Sequence, residues 1–128
     1  MQTHTIRDDI AVHVISEYMA EQSNAAENRF VFAYHVRIEN HGRLPAQLLS
    51  RHWIITDGNQ KVQEVRGEGV IGEQPTIMPG ETYEYSSGAV LQTPVGSMKG
   101  SYQMVDATGE TFDAPIPIFT LASPTALH

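Results

Sequence analysis

Cysteine is absent from the 128-residue chain. No disulfide, thiolate metal site or thiol nucleophile is therefore available to it, and the absence fits a reducing compartment. Positive charge is scarce. Eight Lys and Arg stand against 15 Asp and Glu, for a formal net charge of −7. Nucleic-acid binders need a basic footprint. Here the basic residues are scattered, with Arg37 and Arg43 among the few close pairs, so neither nucleic acid nor membrane insertion is expected. Apolar runs are short, far below the ~20 residues that span a bilayer. The opening MQTHTIRDDI has no basic segment leading into an apolar one, and no signal peptide is read from it. The expectation is a soluble, cytoplasmic protein.

What is present is a strong period of two. The hydrophobic share is 41%, enough for a folded core, and the length suits one domain over residues 1–128. In RFVFAYHVRIEN, Phe30, Phe32, Tyr34, Val36 and Ile38 fall on one parity, the alternation of a half-buried strand. DIAVHVISEYM alternates in the same way. AQLLSRHWIIT places Leu49, Trp53 and Ile55 on one parity and Ala46, Leu48 and Ile54 on the other. Turn signals at DGNQ and DATGE separate KVQEVR, ETYEYSS, SMKGSYQMV and TFDAPIPIFTL. Pro115 and Pro117 share a parity of the last strand, which predicts a sheet edge or a local break in pairing. Residues 17–28 have some helix-forming composition but no apolar stripe, and read as a strand end plus a loop. The tail ASPTALH is expected to pack loosely. About seven strands and almost no helix indicate an all-β antiparallel sandwich of immunoglobulin or fibronectin type III kind.

The segment RGEGVIGEQPTIMPGE carries the spacing Gly-x-Gly-x-x-Gly at Gly67, Gly69 and Gly72. A dinucleotide-binding turn needs a helix immediately after it, its N-terminal amides facing the pyrophosphate. Pro75, Pro79 and Gly80 leave no room for one, which excludes that fold. Two readings remain. One is a structural loop whose glycines allow unusual backbone angles. The other is a nest of amides over Gly67, Glu68, Gly69, Val70, Ile71 and Gly72 that holds a small anion such as phosphate. Glu68 and Glu73 repel an anion and Arg66 partly offsets them, so the structural loop is preferred.

Other chemistry is sparse. His13 and His35, with Glu17 or Glu39, are the candidates for a site holding Mg²⁺ or Co²⁺. No His-x-His or His-x-x-x-His spacing supports one, and solvated histidines account for them better. Ser86 and Ser87 sit in no nucleophile elbow. Asp8 and Asp9 are adjacent, so on a strand they point apart. Neither an enzyme activity nor a cofactor is expected. Phe30, Phe32, Tyr34 and Trp53 are assigned to the space between the sheets. Tyr83, Tyr85 and Tyr102 are assigned to the core with hydroxyls at its rim, one of them bonding to backbone at a strand corner.

The run GEGVIGEQPTIMPGETYEYSSGAVLQTPVGSMKGSYQM resembles the core of the ApaG family. FVFAYHVRIENHG and AQLLSRHWIITDGN upstream, and IPIFTLASPTALH downstream, fit the same family, so the resemblance runs from about residue 9 to 128. It implies a fibronectin type III-like sandwich. It also implies a protein-interaction module without an established enzymatic mechanism, linked by family name to cobalt resistance and magnesium efflux. Phosphate or nucleotide binding, where proposed for the family, carries over only to Gly67, Gly69 and Gly72. His41, His52 and Glu73 fall where the family is expected to vary. The partner is an unknown protein, and strand-edge pairing into a homodimer is the other expected association.

Overall fold

The computed structural model describes residues 9–124. Eight strands, rather than about seven, form two antiparallel sheets. They are β1 (Ile10–Tyr18), β2 (Phe30–Asn40), β3 (Ala46–Asp57), β4 (Val62–Glu68), β5 (Thr76–Ile77), β6 (Thr82–Leu91), β7 (Val95–Asp106) and β8 (Thr111–Ala122). One sheet has the order β1-β2-β6. The other has the order β4-β3-β7-β8, with β5 pairing to β3. Setting aside the two-residue β5, this is a fibronectin type III-like arrangement, its fourth strand attached to the sheet of the third. The additional strand is β5, which is too short to leave a periodic signal in the sequence. Residues 17–28 hold the end of β1 and two single 3₁₀ turns, Ala20–Gln22 and Ala25–Glu27.

The alternation in β2 translates directly into burial: Phe30, Phe32, Tyr34, Val36 and Ile38 all face the interior. Trp53 sits among Tyr34, Tyr102 and Phe119, with ring centroids 5.4–6.4 Å apart and largely edge-on geometry. Such rings add packing beyond their buried area. In β3 the two parities are reconciled by a bulge. Its register against β7 shifts between Leu48 and Ser50, so Ala46 and Leu48 are buried before the bulge and Trp53 after it. An extra residue flips the inward parity. A second irregularity, between Met98 and Gly100 on β7, leaves Pro117 and Ile118 of β8 out of register. Pro117 thus falls in a bulge on an edge strand, where its missing N–H breaks no ladder bond.

Four polar residues are buried among the described ones, Asn40, Thr93, Asp106 and Ser123, none of them foreseen. Asn40, at the end of β2, is 1% exposed. Its Nδ2 donates to the carbonyls of Leu44 and Ile77 at 2.9 and 2.8 Å, and its Oδ1 accepts from the Gly42 N–H at 2.9 Å. Its backbone bonds to Glu81 and Gly80. One side chain therefore joins the β2–β3 turn to β5. Ser123, in the segment expected to pack loosely, is buried, and its N–H donates to the Pro94 carbonyl at 2.9 Å. Residues 125–128 of that tail, and Asp8, lie outside the described residues.

The two sides of the sandwich differ. On one side β1 packs against β8, with Ser16 Oγ donating to the Thr120 carbonyl at 2.9 Å. These strands run in the same direction, so Ile10 and Ala122 lie at opposite ends of the molecule. On the other side the sheets end in β6 and β4, and among the described residues no strand joins them.

Candidate functional site

The glycine segment bridges a gap at the edge of β3. β4 pairs with β3 up to Ser50, and β5 pairs with it from Gln47. Between them the bulge frees the Leu49 carbonyl, which accepts the Gly69 N–H and Gln74 Nε2, both at 2.8 Å. Gly67 and Glu68 close β4, and Val70 is 1% exposed, a core residue. Val70 and Glu73 exchange backbone hydrogen bonds at 2.8 and 2.9 Å around a turn whose tip is Ile71 and Gly72, with φ of 43° and 79°. Two successive positive φ values give the tight hairpin geometry of a primed turn. The amides of Gly69 and Val70 are therefore committed to Leu49 and Glu73, and no helix follows Gly72. Gly69, at φ +63°, has no room for a side chain: a Cβ there would lie 2.3 Å from the Glu73 carbonyl oxygen.

The carbonyls of this segment point to Arg51 of β3. Its Nη1 donates to Glu68 O at 3.0 Å and to Gly69 O at 2.8 Å. Gly67 makes this possible, since a Cβ there would meet the guanidinium carbon at 2.7 Å. Arg51 is half-buried, and no carboxylate among the described residues pairs with it. It lines a cleft of about 390 Å³ on the open side of the sandwich, floored by Tyr34, Trp53 and Met98 and walled by Val65 and Ala89. Sequence reasoning missed both the cleft and Arg51, because they depend on which residues meet across strands.

Above this cleft runs the free edge of β6. Asn40 turns its backbone towards β6, so by the alternation of the antiparallel ladder Tyr83, Tyr85, Ser87 and Ala89 bond to β2. The N–H and C=O groups of Glu84, Ser86, Gly88 and Val90 therefore face outward. From Tyr85 to Leu91 the strand carries no charge and no proline. Other edges are guarded, β4 by Glu64, Arg66 and Glu68, and β8 by its prolines and bulge.

The outer face of the three-stranded sheet collects the polar candidates. Glu39 Oε1 lies 3.2 Å from His13 Nε2 and 3.0 Å from His41 Nε2, and Arg37 Nη2 donates to its Oε2 at 3.1 Å. The hydrogen bond from His41 holds the Glu39 carboxyl below the ordinary carboxylate range. His13 and the Arg37 charge act the same way, and partial burial opposes them. His35 joins a different carboxylate, Glu84, at 2.7 Å, and its Nδ1 lies 2.7 Å from Ser86 Oγ. His13 and His35 are therefore not brought to one centre. Among the described residues no group of three or more His, Asp or Glu is arranged to hold a metal. His52 pairs with Glu64 at 3.0 Å.

The Ser86–His35–Glu84 chain has the residue types of a hydrolytic triad. It lies on an exposed sheet face, where strand amides point sideways to neighbouring strands rather than towards Ser86 Oγ. Among the described residues no backbone N–H donates to Ser86 Oγ, and water screens the charges there.

The tyrosine hydroxyls differ from expectation. Tyr85 and Tyr102 meet hydroxyl to hydroxyl at 2.5 Å in the interior, and Tyr83 donates to Glu73 Oε2 at 3.0 Å. Each hydroxyl thus finds a side chain rather than the corner backbone. Burial pushes the Tyr85 and Tyr102 phenols well above their ordinary range.

Comparison with known proteins adds family context. The model of the ApaG domain matches residues 20–106. Proteins named ApaG from Pseudomonas aeruginosa and Aromatoleum aromaticum are 61% and 60% identical over 119 residues, covering 93% of this chain and 94% of each relative. The crystal structure of the putative ApaA protein from Bordetella pertussis superposes with a TM-score of 0.88 at 52% identity, covering 95% of this chain and 98% of that one. A β-glucuronidase from Bacteroides uniformis shares the fold alone, at TM-score 0.53 and 16% identity, over 85% of this chain and 13% of that one. Among the described residues no helix is long and apolar enough to cross a membrane.

Proposed function

The chain belongs to the ApaG family, and from that premise we propose that it is a non-enzymatic binding module that takes an extended strand of a protein partner onto the free edge of β6. The observation that carries the proposal is the edge itself: an unpaired, uncharged stretch from Tyr85 to Leu91 lying over a cleft of mixed lining, with Trp53, Val65 and Met98 beside Arg51 and Gln63. Strand addition draws affinity from main-chain hydrogen bonds and specificity from pockets for alternate side chains, and both elements are present here. In the divalent-cation setting that the family resemblance implies, the module acts through its partner and needs no ion of its own.

The test is an amide-resolved NMR titration with a Thr- and Val-rich extended peptide. Shifts concentrated at Ser86, Gly88 and Val90, abolished by Val90→Pro or by N-methylating alternate peptide amides, are expected. Shifts confined to other surfaces would refute the edge as the site. A small anion at residues 67–72 is the weaker reading, because the Gly69 and Val70 amides already donate within the protein. Pyrophosphate added in the same titration tests it through the Ile71 and Gly72 amides.

A further inference from the structure

We infer that the cleft beneath β6 selects an extended partner segment with an apolar residue followed, two positions later, by an acidic one, and that Arg51 is the residue that reads the acid. This rests on the strand-addition reading above and specifies its ligand.

Three observations support it. First, Arg51 is a half-buried cation without a described carboxylate partner in a chain of net charge −7. Its Nη1 is committed to the Glu68 and Gly69 carbonyls. Among the described residues its Nε–H and Nη2–H groups have no acceptor, which leaves the side-on fork that grips a carboxylate with two parallel hydrogen bonds. Second, apolar side chains lie next to Arg51: Trp53 and Met98 are further along the cleft with Val65 and Ala89 beside them, and Gln63 and Ser87 share its lining. Third, the levels match. Arg51 pairs with Tyr102, whose hydroxyl meets Tyr85, while Tyr34, against which Trp53 packs, pairs with Ser87.

A strand laid antiparallel to β6 points alternate side chains into the cleft. The one near Ser87 lies at the level of Trp53, and the one two residues later, near Tyr85, reaches Arg51. The groove on the closed side, between β1 and β8, has no such vacancy. Arg37 and His35 line it, but they are already paired with Glu39 and Glu84.

The test uses capped octapeptides of Ser and Thr with a central Leu-Thr-Glu, compared with Leu-Thr-Gln and Ala-Thr-Glu, by fluorescence anisotropy on the intact chain. Either substitution is expected to weaken binding about tenfold. Arg51→Gln should bind the Glu and Gln peptides equally, and Arg51→Lys should keep part of the preference. The wild-type comparison stands even if Arg51→Gln fails to fold. Equal binding of Glu and Gln peptides to the wild type, with shifts still at Ser86–Val90, overturns the role of Arg51 and leaves strand addition intact. No shift at that edge with any peptide overturns strand addition itself. A phosphoserine peptide that binds far better than the Glu peptide overturns the carboxylate assignment. A dimer in light scattering that Val90→Pro dissolves shows a second copy on the edge and overturns the peptide partner.

Discussion

At the scale of the residue, Asn40 shows how one side chain governs a junction. Its amide satisfies two buried carbonyls and its oxygen a backbone N–H, drawn from the turn after β2 and from β5. Removing it leaves these groups in a dry site without partners. Leaving buried polar groups unsatisfied is among the more damaging effects of point substitution. Asn40→Ala should lower unfolding free energy by about 2–3 kcal/mol in urea denaturation. Nothing in the residue type announces this role. Only the inward parity inherited from Ile38 hints that an Asn at this position is buried.

At the scale of the element, the glycine segment is a patch over the bulge of β3. Gly69 and Gly72, both of positive φ, differ in kind. Gly69 is confined by backbone, with the Glu73 carbonyl where a Cβ would stand, whereas Gly72 has nothing within 4 Å of that point. Gly72→Ala should cost about 1 kcal/mol, the strain of the left-handed region alone. Gly69→Ala should cost about 2 kcal/mol or more, since strain and collision add. Thermal melts of the two variants compare them directly. The excluded dinucleotide turn was legible in the sequence because Pro75 and Pro79 forbid a helix. The buried strand faces were legible because a period of two survives in β2, β7 and most of β8. The inward face of β3 was ambiguous, since its bulge changes parity within the strand. The meeting of Arg51 with Gly67 and the contact of His35 with Ser86 depend on strand register, which a single sequence does not disclose.

At the scale of the whole molecule, the sheets are joined through phenols as well as hydrocarbon. Tyr85 comes from one sheet and Tyr102 from the other, and their hydroxyls meet in the interior. Both phenols are raised above their ordinary pKa, chiefly by burial. The unfolded chain ionises them near pH 10 while the fold keeps them neutral. Their contribution is therefore complete below about pH 10 and declines as pH rises, because there the folded state holds more protons than the unfolded one. Of the five tyrosines, two should yield no phenolate absorbance until the chain unfolds cooperatively in alkali. Ultraviolet titration followed in parallel with circular dichroism checks this. Finally, β1 and β8 run side by side in one direction, with Ile10 and Ala122 at opposite ends. Tension applied through those two points would pull along the strands, loading the β1–β2 and β7–β8 ladders in shear, so that many hydrogen bonds resist together instead of peeling one by one.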